Sequence, residues 1–350
     1  MLIHVPDASP TPALDTLWFT RCPVPTATGI AADLNWLTEE FSPDAIAVRT
    51  LQDAGQDVPR ASHFTHDLTG LFREGGNVPA LWARASGERT RLIGLTWIEE
   101  RQAIAVRPGS IIDGPHALAG KRIAVPRRPI AIDFWRAMAL AGFAGALGEA
   151  DATLADVIHV DVDAAANAPQ WDAELRALTE EKVDAVYLKG ALSVEAAARH
   201  GAVIGIDLDA LPTRRARVNN GTPRPVTVHQ QLLDDHPDLV IRFLRVLTEA
   251  ASWASTNPPE LAHILATETG AGRHGVDGAY RWLHNADLRV DLSAERLELL
   301  DHQAKFLHQQ GFLPQTVDVI DWHDPAPLAT AQAAANPHRT FSNLDWRPQK

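Results

Sequence analysis

Short apolar, β-branched runs recur through the middle of the chain: "RLIGLTWI" (91–98), "QAIAVR" (102–107), "KRIAVP" (121–126), "VIHVDV" (157–162), "VDAVYL" (183–188) and "AVIGIDL" (202–208). Each has strand length, and helix-forming stretches separate them, so the pattern predicts an α/β protein with largely parallel sheets. Between two of them, "SIIDGPHALAGKRIAVP" reads as a turn, a short helix, a glycine stop at Gly120 and a strand. After Pro129, "IAIDFWRAMALAGFAGAL" forms a helix with Asp133 near its start. From residue 223 the character changes. The stretch "PRPVTVHQQLLDDHPDLVIRFLRVLTEAASWASTNPPELAHIL" predicts one strand and then helices, with Pro237 suited to a first helical turn and Asn257-Pro258-Pro259 as punctuation. "SAERLELLDHQAKFLHQQGFL" (293–313) predicts an amphipathic helix begun by Ser293 and closed by Gly311. The Ala-, Asn- and Pro-rich tail from Pro325 is expected to wrap the surface or be partly disordered.

Length turns this pattern into two lobes, because 350 residues exceed what one hydrophobic core usually supports. The order of elements divides the chain into a discontinuous lobe I (1–115 plus 223–350) and a lobe II (116–222). A formal net charge of -12 argues against nucleic acid, which needs a basic face. No run of eighteen apolar residues is present, so a membrane partner is not expected. The N-terminal stretch "MLIHVPDASPTPALDTLWF" lacks a basic segment followed by an apolar core, which predicts a cytoplasmic location. One cysteine excludes an internal disulfide and a multi-cysteine zinc site. Fifteen histidines form no HExxH and no Cys/His cluster, so no metal is expected. A monomer is the expected state.

The candidate chemistry lies in three pieces of the first third: "FTRCPVPTA" with Cys22, "ASHFTHD" with His63, and "GLFREGGNVPALW" with Arg73, Gly75 and Gly76. An arginine fork meets a carboxylate, sulfinate or sulfonate bidentately, and adjacent glycines let backbone N–H groups converge on an anion. An imidazole can orient a thiol or shift its protonation. Each residue also has an ordinary reading: an inert core thiol, a packed histidine, a surface arginine, a plain turn. Sequence order does not decide between them.

The element order around "LAGKRIAVP", "VDAVYLKG" and "DDHPDLVIRFLRVLTEAASWASTNPPELA" resembles type II periplasmic binding proteins, in the branch that binds sulfonate, taurine or nitrate-type ligands. That resemblance implies two α/β lobes with a ligand cleft between them. Within this fold, the three pieces in their order and spacing resemble the aryl sulfinate desulfinases, which need no cofactor. "FTRCPVP" matches the family's active-cysteine segment at Phe19, Thr20, Cys22, Pro23, Val24 and Pro25; "HFTHD" matches its histidine segment, with Phe64 following His63 and His66 at an aromatic place. "REGGNVP" supplies Arg73 and Gly76 to the sulfinate, and Trp135 in "DFWRAMAL" stands where the family has a pocket tryptophan.

The resemblance therefore implies catalytic Cys22, His63 and Arg73, with Thr20, Arg21, Phe64, His66, Leu68, Gly75, Gly76 and Trp135 binding substrate. The expected partner is a small organosulfur anion, and the expected reaction is C–S cleavage with release of sulfite. Cys22 acts either as proton donor or as nucleophile. A solute-binding protein for a sulfonate, performing no chemistry, is the alternative. The sequence departs from the family at Leu68, where a polar residue is usual, at Arg21, which replaces a neutral neighbour of the cysteine, and at His66, which replaces a tyrosine. The segment 145–182 is shorter than the family's, which leaves the organic end of the substrate open.

Overall fold

A computed structural model describes residues 14–22, 24–52, 61–281 and 287–340. Pro23 and the first thirteen residues, on which part of the cysteine motif and the expectation about location rest, lie outside the described residues.

Ten strands are described: β1 (Thr16–Phe19), β2 (Ala47–Thr50), β3 (Leu71–Glu74), β4 (Thr90–Thr96), β5 (Gln102–Val106), β6 (Arg122–Arg127), β7 (Ile158–Asp163), β8 (Val186–Lys189), β9 (Val203–Asp207) and β10 (Arg224–His229). The first sheet has the order β2-β1-β3-β10-β4, with β1 parallel to β2 and β3, and β10 antiparallel to both its neighbours. The second group places β5 antiparallel between β8 and β9, and β6 parallel to β7. A parallel bridge from Ile123 to Ala185 sets β6 beside β8. Read across that bridge, the order is β7-β6-β8-β5-β9, which repeats the first sheet's plan. In each sheet one antiparallel strand is inserted between the third and fourth.

The inserted strands make the sheets mixed rather than largely parallel. They also move one boundary. β5 lies within the segment assigned to lobe I, yet it pairs only with strands of the second sheet. The chain thus enters the second sheet between Thr96 and Gln102, and re-enters the first at Arg224. The physical cause is the crossover itself: each lobe ends by lending the other an antiparallel strand.

The six middle runs emerge as β4 to β9, and "RPVTVH" as β10. The helix Pro237–Thr256 buries Phe243 against Phe72 of β3, ring centroids 3.8 Å apart and nearly parallel. The helix Phe134–Gly148 lies on the second sheet, with Phe143, Leu147 and Met138 in its core. A third apolar cluster packs Val78, Leu81, Leu92 and Leu95 against Leu300, Leu307 and Trp322. The tail does not loosen at Pro325. Its helix Ala326–Ala334 buries Leu328 and Ala331 in the first core, and Arg339 pairs with Glu249 while lying over the Trp36 ring.

Candidate active site

In an open α/β sheet, ligands gather at the carboxyl ends of the strands, where the topology changes direction. Here β1 delivers Thr20, Arg21 and Cys22 to that edge, and β3 delivers Arg73 followed by Gly75 and Gly76. Between them, the backbone carbonyl of Glu74 accepts the Cys22 thiol at 3.6 Å and the Thr20 hydroxyl at 3.3 Å. The Glu74 carboxylate turns the other way, accepting from Thr28 and Thr96. Thr26 caps the helix Ala27–Asp33 through the amide of Gly29, which fixes the chain just past the cysteine.

Arg73 is 1% exposed. Its Nε donates to the His63 carbonyl at 3.0 Å and its Nη1 to the Gly76 carbonyl at 3.1 Å, while Nη2 has no partner among the described residues. Burial lowers the guanidinium to about 10, with the Cys22 sulfur opposing and Arg224 adding to the shift, so it stays charged at neutral pH. His63 is held down to about 3 by burial and by the charges of Arg73 and Arg224, so its imidazole is neutral. Among the described residues its Nδ1 is buried without a partner, and no hydrogen bond joins it to Cys22.

Cys22 and His63 open on one cavity of about 280 Å³, together with Gly76 and Arg21 from the first lobe and Trp135 from the second. Trp135 meets Trp171 edge to face at 5.1 Å, and Phe134 and Met138 extend this apolar wall. Arg73 sits just behind His63 and Gly76 rather than in the lining itself.

Several expected contacts fall elsewhere. Arg21 lines the cavity, but its guanidinium is spent on Glu268 at 2.7 Å and on Asp33. Gly75 gives its N–H to the Pro225 carbonyl, and its missing Cβ makes room for the Arg73 guanidinium, whose Cζ would lie 2.8 Å from such an atom. Thr20 is buried behind Cys22. His66 takes a left-handed φ of 58° at the end of its short helix, and its Nε2 contacts the Thr227 hydroxyl at 2.9 Å, away from the cavity. Phe64 packs edge-on to His63 and into the third cluster, supporting that ring from behind. Leu68 sits in the turn before β3, with its carbonyl accepting from Leu71.

The cavity also holds charged residues that no motif marks: Arg224 at the start of β10, Lys189 at the end of β8, and Glu100 between β4 and β5. Lys189 and Glu100 form a buried ion pair. The available signal is positional, since Lys189 ends an apolar strand and precedes a glycine, where such sheets present ligands.

Residues 77–261, more than half of the chain, match the family described as NMT1/THI5 like. The chain belongs to the NMT1/THI5-like family. Among relatives of this NMT1/THI5-like protein, 2'-hydroxybiphenyl-2-sulfinate desulfinase of Rhodococcus erythropolis is 29% identical, over 89% of this chain and 92% of its own length. The enzyme of that name from Rhodococcus qingshengii matches equally. A cysteine-to-serine mutant of DSZB in complex with biphenyl-2-sulfinic acid shares the fold, with a TM-score of 0.71, 23% identity, and coverage of 92% of this chain and 99% of that one. The periplasmic aliphatic sulphonate binding protein SsuA from Escherichia coli does so at a TM-score of 0.65 and 14% identity, over 89% of this chain and 92% of its own. The two-lobed binding-protein architecture of the NMT1/THI5-like chain is thereby established.

Proposed function

We propose that this protein is a desulfinase: it cleaves the C–S bond of an aryl sulfinate and releases sulfite, hydrolytically and without a cofactor, in the cytoplasm. The observation that carries this reading is the meeting of Cys22 and a neutral His63 on one cavity wall, directly in front of the buried Arg73. The likeness to 2'-hydroxybiphenyl-2-sulfinate desulfinase supports it.

The overall change is ArSO2− plus water giving ArH plus HSO3−. The free Nη2 of Arg73 takes a sulfinate oxygen, a charge-assisted contact strengthened by exclusion of water. The Cys22 S–H gives its proton to the ring carbon as the C–S bond breaks. The bonding pair stays with carbon, and sulfur leaves as SO2. The thiolate formed lies beside Arg73, whose charge stabilises it. Water adds to SO2 to give bisulfite and a proton, which the neutral imidazole of His63 returns to sulfur. Two features favour the acid role over nucleophilic attack. The thiol already acts as a donor, toward Glu74 O, and an uncharged His63 offers no imidazolium to hold a resting thiolate.

Sulfite release from a panel of aryl and alkyl sulfinates tests the reading. Cys22→Ser is expected to abolish release while retaining arylsulfonate binding; an active Cys22→Ser protein sinks it. Release from none of the panel, together with tight sulfonate binding, makes the chain a solute-binding protein instead. Accumulation of a Cys22 adduct that turns over, seen by intact-protein mass spectrometry, replaces the acid step with attack on sulfur.

A further inference from the structure

We propose that the substrate carries a second anionic group, a carboxylate on its aromatic ring, and that Arg224 receives it. The desulfinase reading supplies only the sulfur end of this substrate; the second anion site stands on different residues.

Arg224 lines the cavity and is 3% exposed. Among the described residues its guanidinium makes no hydrogen bond and no ion pair, and its Nε is buried without a partner. A buried charge with no partner in the chain is costly to fold, so such a group persists where something outside the chain answers it. The neighbouring charges are already answered. Lys189 is paired with Glu100, and Arg21 with Glu268 and Asp33. Glu74, on the adjoining strand β3, is committed to Thr28 and Thr96 and forms no ion pair with Arg224. Two guanidiniums therefore keep binding capacity at this cavity: Arg73 behind Cys22, and Arg224.

They stand on two neighbouring strands, β3 and β10. Arg73 is the register partner of Thr227, whereas Arg224 lies three residues earlier on β10, opposite Thr96. At about 3.3 Å per residue along β10 and about 5 Å across to β3, their backbone anchors are roughly 11 Å apart. Their charges act on each other and on His63, so two anionic groups carried by one ring can engage both. Trp135, Trp171 and Phe134 supply the aromatic wall for that ring. The guanidinium fork matches a planar carboxylate.

The test uses non-cleavable stand-ins: benzenesulfonate against meta- and para-sulfobenzoate, titrated into the full chain by tryptophan fluorescence or calorimetry. One sulfobenzoate is expected to bind about tenfold tighter than benzenesulfonate. Arg224→Met should collapse that ratio to near one. A wild-type ratio near one for both isomers overturns the proposal, whatever the variant's folding. An equal loss of both ligands on Arg224→Met also overturns it, because Arg224 then serves the sulfur group. The matching sulfinates separate the two readings. Preferential sulfobenzoate binding without sulfite release keeps the second anion site and removes the desulfinase. Sulfite release from benzenesulfinate, with no gain from an added carboxylate in either assay, does the reverse.

Discussion

A guanidinium resting on a glycine sets the geometry of the proposed anion site. Arg73 is pinned by the His63 and Gly76 carbonyls, and Gly75 leaves it no spare room. Gly75→Ala places a methyl 2.8 Å from Cζ, so the guanidinium must move. The expected result is arylsulfonate affinity weakened about tenfold, with about 1–3 kcal/mol of stability lost to overpacking; unchanged affinity by calorimetry would place the anion elsewhere. His66 yields a prediction of a different kind. Burial, then the charge of Arg73, hold it down to about 3, whereas an unfolded imidazole titrates near 6.5. Between those values the unfolded chain binds a proton that the folded one refuses, so this group's stabilising contribution is full above pH 6.5 and falls as the pH falls. His66→Gln should therefore flatten the dependence of unfolding free energy on pH between 6.5 and 4.5 by up to about 1.4 kcal/mol per pH unit. Identical slopes in urea titrations of both proteins would show that His66 protonates freely in the fold. The same two residues mark what the sequence makes legible. Cys22, His63, Gly76 and Trp135 announce themselves through local motifs and do share a cavity. His66 and Gly75 sit in those motifs yet work behind the wall. Arg224, Lys189 and Glu100 belong to no motif because strand pairing, not sequence proximity, brings them together.

At the scale of elements, the aromatic wall depends on how one helix begins. Asp133 caps the helix Phe134–Gly148, accepting from the Arg136 amide at 3.0 Å and the Arg128 amide at 2.8 Å. Beneath the wall, Arg128 stacks 4.6 Å from the Trp135 ring and pairs with the buried Glu174 of the helix Asp172–Thr179. Burial raises Glu174 above the usual carboxylate range against the pull of Arg128. Removing the arginine strands that carboxyl, so Arg128→Met is expected to cost about 3–5 kcal/mol in denaturant unfolding, and adding Glu174→Gln should recover part of the loss. A double variant no better than the single one would mean that the pair is not the coupling. The aromatic wall and the second core are legible as helix and strands because β5 to β9 lie in β-branched runs bounded by turns. β1, β2 and β3 are only four residues each, and "LFRE" carries its charges into the buried interior, so their apolar runs are too short to stand out.

For the whole molecule, strand exchange decides what can fold alone. β5 lies between β8 and β9 and supplies the antiparallel pairing on both sides, although it precedes β6 in the chain. A fragment of residues 116–222 would expose the facing edges of β8 and β9, leaving unpaired backbone groups and an apolar layer that includes Ile104, Ala105 and Val106 in the intact protein without cover. Starting the fragment at residue 98 restores that strand. The longer fragment is expected to be soluble, with a cooperative unfolding transition, and the shorter one to aggregate or remain unstructured by circular dichroism. Equal behaviour of the two would mean that β5 is dispensable to the second core and that the division at 115/116 is the physical one. The first lobe has the matching dependence on β10, whose antiparallel place between β3 and β4 carries Arg224 into the cavity. Each crossing strand thus joins the lobes in sequence while completing a sheet. A ligand held by Arg73 against Trp135 would bind both lobes at once and stabilise them as a unit. At a hundredfold excess over its dissociation constant, an arylsulfonate should add about 2.7 kcal/mol to unfolding of the full chain. It should add nothing to the 98–222 fragment, which contains Trp135 and lacks both arginines; a comparable gain in the fragment would place the ligand within the second lobe alone.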